Sequence, residues 1–354
     1  MMRVVHLTDD PALGGVNRWL DAQLPRLGKG LVHERLSVDP ARGLAPALAS
    51  DAIVIHFTMN WRKLPWLAAL RARNISSQLI LVEHSYTRDF ESLHVPHIGR
   101  FRVLLRAAYS LVDHVVAVSE NQSRWFSEAL GLPKKKFQVI NPLTDIEPLR
   151  AIPLPIPGRG PLRLCGFGRY APQKGFDDLI AAMRLVSPDL ATLRLVGLGP
   201  SRQALLRLAA DLPHVSVDGP VAGPLHLFPE VDAIVVPSRF EPYGCVAAEA
   251  RAAGRPMIVT TVDGLNDHPV GAPELRVPRS DPASLASAIR WLVAQDITAL
   301  GARARQSVDG AEDRTTQAWY ALFHGADGSA AGLNDIRTPA RVFATRRILK
   351  DAIS

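Results

Sequence analysis

Short apolar runs rich in valine, isoleucine and leucine alternate with longer stretches of helical character along most of this 354-residue chain. Such runs are typical of parallel sheets, because helices cover both faces of a parallel sheet and leave its strands no exposed side. The strand candidates are residues 3–8, 52–57, 79–84, 114–119, 137–142, 162–167, 192–197, 215–219, 233–238 and 257–261. The helical stretches between them include residues 15–28, 62–73, 99–112 and 120–131. The alternation predicts an α/β protein with doubly wound parallel sheets.

Residues 151–161, AIPLPIPGRGP, are rich in proline and glycine, and such a segment can be neither a helix nor a central strand. We therefore interpret it as a linker between two Rossmann-like domains, residues 1–150 and residues 162–310. Residues 311–354 would form C-terminal helices. Because ligands of open α/β sheets bind beyond the carboxyl ends of the strands, we expect the two domains to face each other across a ligand-binding cleft.

The composition restricts the class and the compartment of the protein. Apolar residues make up 47% of the chain and charged residues 21%, which excludes a chain that is disordered throughout. The net charge of +7 favours partners that carry phosphate, namely nucleotides, nucleic acid or an anionic membrane surface. The two cysteines form no disulfide framework, and no signal peptide or membrane-spanning run is recognisable. We therefore expect a cytoplasmic protein that meets a membrane only at its inner face.

The segment CGFGRYAPQKGF, residues 165–176, follows a predicted strand and leads into a helix. Gly166 and Gly168 allow a tight turn, and Arg169 and Lys174 place two cations near the start of that helix. Backbone N–H groups, a helix dipole and mobile cations together suit a diphosphate. The alternative is that both cations are solvated on an ordinary strand–helix loop.

Residues 166–171, GFGRYA, also fit the dinucleotide fingerprint G-x-G-x-x-A, which predicts an NAD-dependent oxidoreductase. Pro172 and Gly175 argue against it, because they delay the helix whose start should hold the third small residue of the fingerprint. We keep NAD binding as an alternative. A third hypothesis is a non-catalytic protein that binds phosphate or nucleic acid through its positive charge.

Two further features follow predicted strands of the first domain. Gly14 and Gly15 come after the first strand, where a glycine pair lets the backbone approach a ligand closely or simply forms a flexible turn. His84 ends the third strand candidate and so belongs at the ligand-binding edge of the sheet, although a single histidine is more often structural than catalytic.

The segment PSRFEPYGCVAAEARAAGRP, residues 237–256, places two glutamates eight positions apart. Glu241 lies on the loop after a strand, and Glu249 lies on the helix that follows. The N-terminus of that helix, around residues 243–246, offers N–H groups to an anion or a hydroxyl. The two carboxylates could accept hydrogen bonds from ligand hydroxyls. Alternatively, they are a solvated loop charge and a helix residue that the dipole stabilises.

This segment resembles the E-x7-E signature of family 4 glycosyltransferases, which have the GT-B fold. The segment GRYAPQKGFDDLIAA resembles the phosphate-binding segment of that family, and the segments that follow keep its order and spacing. In the first half GGVNRWLDAQL, VEHSYTRDF and HVVAVSENQSRWF are also similar, with less specific motifs. The resemblance covers most of residues 3–325 and is strongest in residues 162–295.

The resemblance implies a retaining transfer of a sugar from a UDP- or GDP-linked donor to a glycan or lipid-linked acceptor, in the synthesis of surface polysaccharide or glycolipid. It implies an acceptor-side first domain, a nucleotide-sugar-binding second domain and C-terminal helices that return to the first domain. No D-x-D motif is present, so we expect no metal, and the resemblance implies no other cofactor. We expect no nucleic acid as a partner.

The resemblance also implies roles for individual residues. Glu241 would touch the donor sugar near the reacting carbon, and His84 would face that sugar across the cleft. Arg169 and Lys174 would hold the diphosphate, and Glu249 the ribose hydroxyls. The full set of nucleotide-sugar-binding residues would be Gly14, Gly15, Arg169, Lys174, Gly244, Cys245, Val246 and Glu249.

Some segments depart from the family pattern or allow two interpretations. Residues 140–149 replace the Asn-Gly-Val-Asp that the family often has, and residues 263–271 lack its usual acidic residue after a glycine pair.

The apolar stripe of residues 99–112, flanked by arginines, either lies on an anionic membrane or, as we favour, packs into the core. The basic residues 337–354 either pack on the first domain or contact phospholipid.

Overall fold

The structure is a computed structural model, and it describes residues 1–9, 15–27, 30–156, 158 and 160–324, together with the backbone of residues 341–347. The chain divides into two compact units, and each has its own hydrophobic core. The first unit combines Met1–Thr144 with Glu312–Ser354. The second unit is Asp145–Ala311.

The predicted alternation of strands and helices is confirmed, because each strand candidate and each helical stretch overlaps an element of the structure. The strands are β1 (Met2–Thr8), β2 (Leu31–Ser37), β3 (Ala52–Ile55), β4 (Gln78–Glu83), β5 (His114–Ala117), β6 (Phe137–Val139), β7 (Leu162–Phe167), β8 (Ala191–Val196), β9 (Val215–Asp218), β10 (Ala233–Val236), β11 (Met257–Thr260), β12 (Arg276–Val277) and β13 (Arg341–Arg347). The helices are α1 (Gly15–Gln23), α2 (Leu64–Arg73), α3 (Arg88–His94), α4 (Ile98–Ser110), α5 (Glu120–Leu130), α6 (Glu147–Arg150), α7 (Phe176–Met183), α8 (Arg202–Ala209), α9 (Pro224–Leu227), α10 (Cys245–Ala252), α11 (Pro282–Val293), α12 (Ile297–Gln306) and α13 (Ala311–His324).

All strands of the first unit are parallel, in the order β13-β2-β1-β3-β4-β5-β6. The order reverses at β1, so a switch point lies beyond the carboxyl ends of β1 and β3. Local sequence signals set the helices around this sheet. Helix α5, for example, begins where the Ser119 side chain accepts a hydrogen bond from the N–H of Gln122, and it ends at Gly131 with φ 64°.

The second unit has the strand order β12-β11-β10-β7-β8-β9, again with parallel pairs throughout. Counted within the unit, this is the 3-2-1-4-5-6 order of the Rossmann fold. Its switch point lies between β7 and β10, so the loops that leave these two strands meet there. The predicted class of doubly wound parallel sheets is therefore confirmed in both units.

Helix α4 places its apolar stripe in the core of the first unit. Leu104, Leu105 and Ala108 are buried on this helix, which supports the core-packing interpretation of residues 99–112. Among the described residues, no helix is long and apolar enough to cross a bilayer.

The boundary between the units lies at Thr144–Asp145, ahead of the proline-rich segment that we interpreted as a linker. Two carbonyl groups of that segment accept side-chain hydrogen bonds within the second unit. Pro153 O accepts from Arg255 over 2.9 Å, and Pro155 O accepts from Thr298 over 2.7 Å. These bonds attach the segment to the second unit.

The expectation of helices throughout residues 311–354 is wrong for part of this range. Helix α13 ends at His324, and residues 341–347 form β13, which pairs in parallel with β2. Without β13, strand β2 would be an edge strand with unpaired backbone groups, and the added strand satisfies them. The rest of the basic segment 337–354 lies outside the described residues.

Candidate functional site

Two glycines with positive φ angles shape the loop between β7 and α7. Gly168 has φ 151° and Gly175 has φ 62°, values that favour glycine. A Cβ atom at position 175 would lie 2.1 Å from the carbonyl oxygen of Pro237, so the two loops can approach each other only without a side chain there. Lys174 ends a 3-10 turn, Pro172–Lys174, close to the start of α7.

Lys174 meets Glu241 at the switch point of the second unit. Lys174 Nζ lies 2.5 Å from Glu241 Oε2, and the hydroxyl of Ser238 donates to the same oxygen over 3.1 Å. Glu241 is 8% exposed, so the solvated loop charge of the alternative interpretation is wrong for this residue. Because an ammonium group has several N–H donors, Lys174 can bind a phosphate oxygen as well as this carboxylate.

Gln173 and Arg239 join the same two loops through backbone and side-chain hydrogen bonds. The backbone N–H of Arg239 donates to the carbonyl of Gln173 over 2.8 Å, and Gln173 Nε2 donates to the carbonyl of Phe240 over 3.1 Å. The Arg239 guanidinium also pairs with Asp177 and Asp178 at the start of α7. Sequence reasoning assigned no role to Gln173 or Arg239, although both lie in segments that resemble the family, because their contacts depend on how the two loops lie next to each other.

A turn after β11 supports the Glu241 loop from the other side. Asp263 Oδ2 accepts from the N–H of Glu241 over 3.3 Å, and the N–H of Gly264 donates to the carbonyl of Glu241 over 2.9 Å. Asp263 adopts φ 31°, which is uncommon for a residue other than glycine. A Cβ atom at Gly264 would lie 2.1 Å from the carbonyl oxygen of Pro242. The strained turn therefore packs directly against the main chain that carries the carboxylate.

His268, within one of the segments that depart from the family pattern, is buried behind the same loop. Its Nδ1 lies 3.0 Å from an Arg251 nitrogen, and its Nε2 lies 2.8 Å from the carbonyl oxygen of Tyr243. Because arginine only donates, Nδ1 is the acceptor and Nε2–H donates to Tyr243. Burial, followed by the charge of Arg251, lowers the pKa of His268 to about 3. The neutral ring thus supports the loop.

Helix α10 begins next to Glu241 in the chain. Its N-cap is Gly244, with φ 90°, and a Cβ atom there would lie 2.6 Å from Leu265 Cδ2. Cys245 and Val246 are in the first turn, where backbone N–H groups have no carbonyl partner within the helix. Glu249 is 1% exposed on the same helix, so both predicted glutamates are buried.

The remaining predicted residue of the second unit, Arg169, lies on the loop that follows β7. Its side chain is exposed, and its guanidinium donates to Gln173 Oε1 over 3.4 Å.

The GFGRYA segment does not form the helix start that the dinucleotide fingerprint requires. Ala171 precedes the 3-10 turn, and α7 begins only at Phe176. This geometry argues against the NAD alternative.

In the first unit, Gly14 lies outside the described residues, and Gly15 is the first residue of α1. His84 follows β4 and is partly buried at the carboxyl edge of the sheet. Its Nε2 lies 3.2 Å from Nδ1 of His56. Burial lowers the pKa of His84 to about 4, so this imidazole is neutral at pH 7.

Fold and site together define a class of protein. Each unit is a doubly wound parallel sheet, and the second has Rossmann strand order, with a cation, a buried carboxylate and a helix N-terminus at its switch point. Two units of this kind are the elements of the GT-B fold, on which nucleotide-sugar glycosyltransferases are built.

Comparison with known proteins narrows this class for part of the chain. Residues 161–295 match the sequence model of the family described as Glycosyl transferases group 1. This stretch of the second unit is therefore a glycosyl transferases group 1 domain.

Relatives extend the comparison to other parts of the chain. Glycogen synthase of Mycobacterium tuberculosis (strain ATCC 25618 / H37Rv) is 33% identical over 165 residues, which are 42% of this chain and 38% of that relative. The chain thus matches well under half the length of that relative. The lipopolysaccharide core biosynthesis glycosyltransferase LpsD of Rhizobium meliloti (strain 1021) is 27% identical over 339 residues, 89% of this chain and 94% of LpsD.

A solved structure supports the fold over most of the chain. HepE of Anabaena, in complex with UDP-glucose, has a TM-score of 0.74 at 18% identity, with 91% of this chain and 99% of HepE covered. The predicted GT-B fold is confirmed by this likeness. The finer resemblance to family 4 stays a prediction.

Proposed function

We propose that the chain is a glycosyltransferase that moves a sugar from a UDP- or GDP-linked donor to a glycan or lipid-linked acceptor. The observation that carries the proposal is the Lys174–Glu241 pair at the switch point of the group 1 domain. The ammonium group suits a diphosphate, and the buried carboxylate beside it suits sugar hydroxyls. A role in surface polysaccharide or glycolipid synthesis is proposed by analogy with LpsD, and the UDP-glucose bound to HepE supports a nucleotide-sugar donor.

In the proposed reaction, the bond between the anomeric carbon and the diphosphate oxygen breaks, and the acceptor hydroxyl bonds to the same face of the sugar. The hydroxyl proton passes to the departing diphosphate. Arg169, Lys174 and the N-terminus of α10 would stabilise the negative charge that grows on the diphosphate. Glu241 would stabilise the positive charge on the sugar. Retention of configuration and catalysis without a metal belong to this proposal.

The remaining contacts of the donor are proposed from position. Glu249 is buried on α10 behind the helix N-terminus, where a carboxylate could accept hydrogen bonds from the two ribose hydroxyls. Gly14, Gly15 and His84 would contact the donor from the first unit.

Thermal melting with UDP, GDP and NAD, each added separately, tests the class of ligand. A higher melting temperature with UDP or GDP supports the proposal, because a ligand that binds only the folded state stabilises it. Stabilisation by NAD alone would instead identify the oxidoreductase.

Transfer from UDP- and GDP-hexoses then tests the reaction. The anomeric coupling in the NMR spectrum of the product reports retention or inversion, and full activity in EDTA would support a reaction without a metal. Lys174→Met should abolish most donor binding. Lys134→Met, which removes an exposed lysine of the first unit, is the matched control.

The non-catalytic hypothesis has its own test. A Glu241→Ala protein with full biological activity would favour a protein that only binds phosphate, since this substitution removes the carboxylate next to the proposed sugar.

Peripheral contact with an anionic membrane at the inner face of the cell is a further part of the proposal. It is supported by the net charge of +7 and by Arg100, which is exposed on α4 near the exposed Ile98 and Val103. Co-sedimentation with vesicles should be stronger for anionic than for neutral lipid. Equal binding to both would contradict this part.

A further inference from the structure

Four histidines of the first unit form one hydrogen-bonded series, here called the histidine chain: His33, His6, His56 and His84. His33 Nδ1 lies 3.0 Å from His6 Nε2, and His6 Nδ1 lies 2.9 Å from His56 Nε2. His56 Nδ1 lies 3.2 Å from His84 Nε2. The residues come from β2, β1 and the ends of β3 and β4, which are neighbours in the sheet, so the chain crosses the sheet to its carboxyl edge.

Aromatic rings pack against both ends of the histidine chain. Trp19 lies against His56 and His84, with ring centroids 5.5 Å and 5.9 Å apart. Phe323 of α13 lies 6.3 Å from His33 at the other end. His6, His33 and His56 are buried, so the hydrogen bonds among them lie in a region of low local dielectric, which strengthens such bonds.

Protons can be arranged along the histidine chain in two consistent ways. Burial lowers the pKa of every member, to about 4 for His33 and His84, so all four rings are neutral at pH 7. A neutral imidazole has one N–H donor and one acceptor nitrogen. Since each contact joins Nδ1 to Nε2, either all rings are protonated on Nδ1 or all are protonated on Nε2. A mixed series would set two N–H groups or two lone pairs against each other.

The buried end of the histidine chain favours one arrangement. His33 Nε2 is buried and has no hydrogen-bond partner in the described part of the structure. A proton there would create a buried N–H without an acceptor, and orphaned donors are rarer in proteins than orphaned acceptors. Arg35, two residues further along β2, adds positive charge on the same face of the strand. Its ion-pair partner Asp21 is largely exposed and offsets only part of that charge. Protonation on Nδ1 is therefore favoured throughout.

We propose that the histidine chain holds His84 as the Nδ1–H tautomer, so that His84 presents a hydrogen-bond donor to an oxygen of its ligand. Its other three members are positioning residues. A free imidazole in water prefers the Nε2–H tautomer, so the chain imposes the less common one. With Nε2 accepting from His56 and Nδ1 protonated, His84 has no lone pair with which to take a proton from an attacking hydroxyl. Its role as a contact of the donor sugar rests on the proposed function, whereas the tautomer does not.

The nitrogen-15 spectrum of the full chain, labelled in histidine and measured without ligand at neutral pH, tests the tautomer. Comparison with His84→Gln identifies the signals of His84. We expect a protonated Nδ1 and an unprotonated Nε2, and a protonated Nε2 would overturn the proposal. His226, exposed on α9, is the internal control and should show the Nε2–H form of a free side chain.

His56→Phe tests the positioning role, since it removes the donor to His84 but keeps a ring next to Trp19. We expect His84 to change to the Nε2–H tautomer in this variant. An unchanged tautomer in the folded variant would show that local contacts set it, and the positioning role would be wrong. Should His56→Phe fail to fold, the wild-type spectrum still decides the tautomer.

Sugar transfer separates donation from base catalysis. His84→Gln keeps an N–H donor and has no basic nitrogen, whereas His84→Leu keeps neither. A donor role predicts that kcat/KM falls about 3- to 10-fold further in His84→Leu than in His84→Gln. Equal losses would overturn the donor role. Absence of all transfer with an intact Nδ1–H signal would refute the proposed function and leave the tautomer standing, so the two failures can be told apart.

Discussion

Removing the charge of Lys174 and removing the charge of Glu241 should have opposite effects on nucleotide binding. Lys174 Nζ lies 2.5 Å from Glu241 Oε2, so a bound phosphate has to share this cation with the carboxylate. Lys174→Met removes the cation and leaves the carboxylate charged beside the ligand. Glu241→Gln removes the competing anion and keeps the ammonium group. We therefore expect UDP or GDP to bind more weakly to the first variant and at least as tightly to the second.

The size of the effect follows from the geometry of the pair. At an effective dielectric constant of about 20, unit charges 2.5 Å apart attract each other by about 7 kcal/mol. Loss of hydration offsets most of this, because the Lys174 and Glu241 side chains are only 19% and 10% exposed. The net contribution of a hydrogen bond between charged groups is about 1.5–3 kcal/mol. If the bond from Lys174 to a phosphate of the ligand contributes this much, Lys174→Met weakens nucleotide binding about 10- to 100-fold. Glu241→Gln should cause no loss and a gain of up to about 10-fold.

Isothermal titration calorimetry with UDP and GDP measures both variants, and the diphosphate without a sugar isolates the phosphate contact. Transfer should still fall in Glu241→Gln, since its carboxylate is the proposed sugar contact. Lys134→Met controls for the loss of one lysine, and unliganded melting curves control for folding. Equal losses of affinity in Lys174→Met and Glu241→Gln would refute the reasoning, because the carboxylate would then support the diphosphate instead of competing for Lys174.

Three further predictions concern stability and the ribose. Gly175→Ala should lower the free energy of unfolding, as measured by urea denaturation. The left-handed backbone conformation alone costs alanine roughly 1 kcal/mol. The loss should exceed this cost, because the added Cβ would lie 2.1 Å from Pro237 O. Burial lowers the pKa of His33 from 6.5 to about 4. Between these pH values the unfolded state therefore binds more protons than the folded state, and the free energy of unfolding decreases as the pH falls, by at most about 3 kcal/mol. His33→Phe should unfold in urea with a shallower dependence on pH over this range, and an unchanged slope would contradict the assignment. Glu249→Gln should weaken binding of UDP or GDP several-fold, but not of an analogue without ribose hydroxyls, and equal losses for both in calorimetry would exclude the ribose contact.

Strands could be predicted from the sequence where apolar residues run without interruption. Strands of more polar composition, which form because they pair with an adjacent strand, were missed. Strand β2 contains His33, Glu34 and Arg35, so its composition resembles a polar loop, yet it pairs with β1 along its whole length. Strand β13 was missed for a similar reason, because it pairs with β2, which is far away in the chain. Only the order of strands in the sheet shows these partners, and no local pattern encodes that order.

The site could be predicted in parts but not as an arrangement. Glu241 and Lys174 were recognisable because each follows a strand, where ligands of α/β sheets bind. Their contact was not, because 67 residues separate them and it depends on β7 lying next to β10. His84 was singled out by its position after a strand and by the resemblance of its segment to the family. Its hydrogen-bonded connection to the other histidines depends on four strands being adjacent in the sheet, and this order could not be predicted from the sequence.

Glu241 is held in place before any ligand binds. Its carboxylate is bound by Lys174 and Ser238, and its backbone is bound by Asp263 and Gly264. These supports come from the loops after β7, β10 and β11, which are adjacent strands of one sheet, so the sheet itself sets the position of the carboxylate. A loop that is already ordered loses little conformational entropy on binding, and more of the contact energy then remains as affinity. We therefore expect Ser238 and Asp263 to affect donor binding, although sequence reasoning assigned a role to neither.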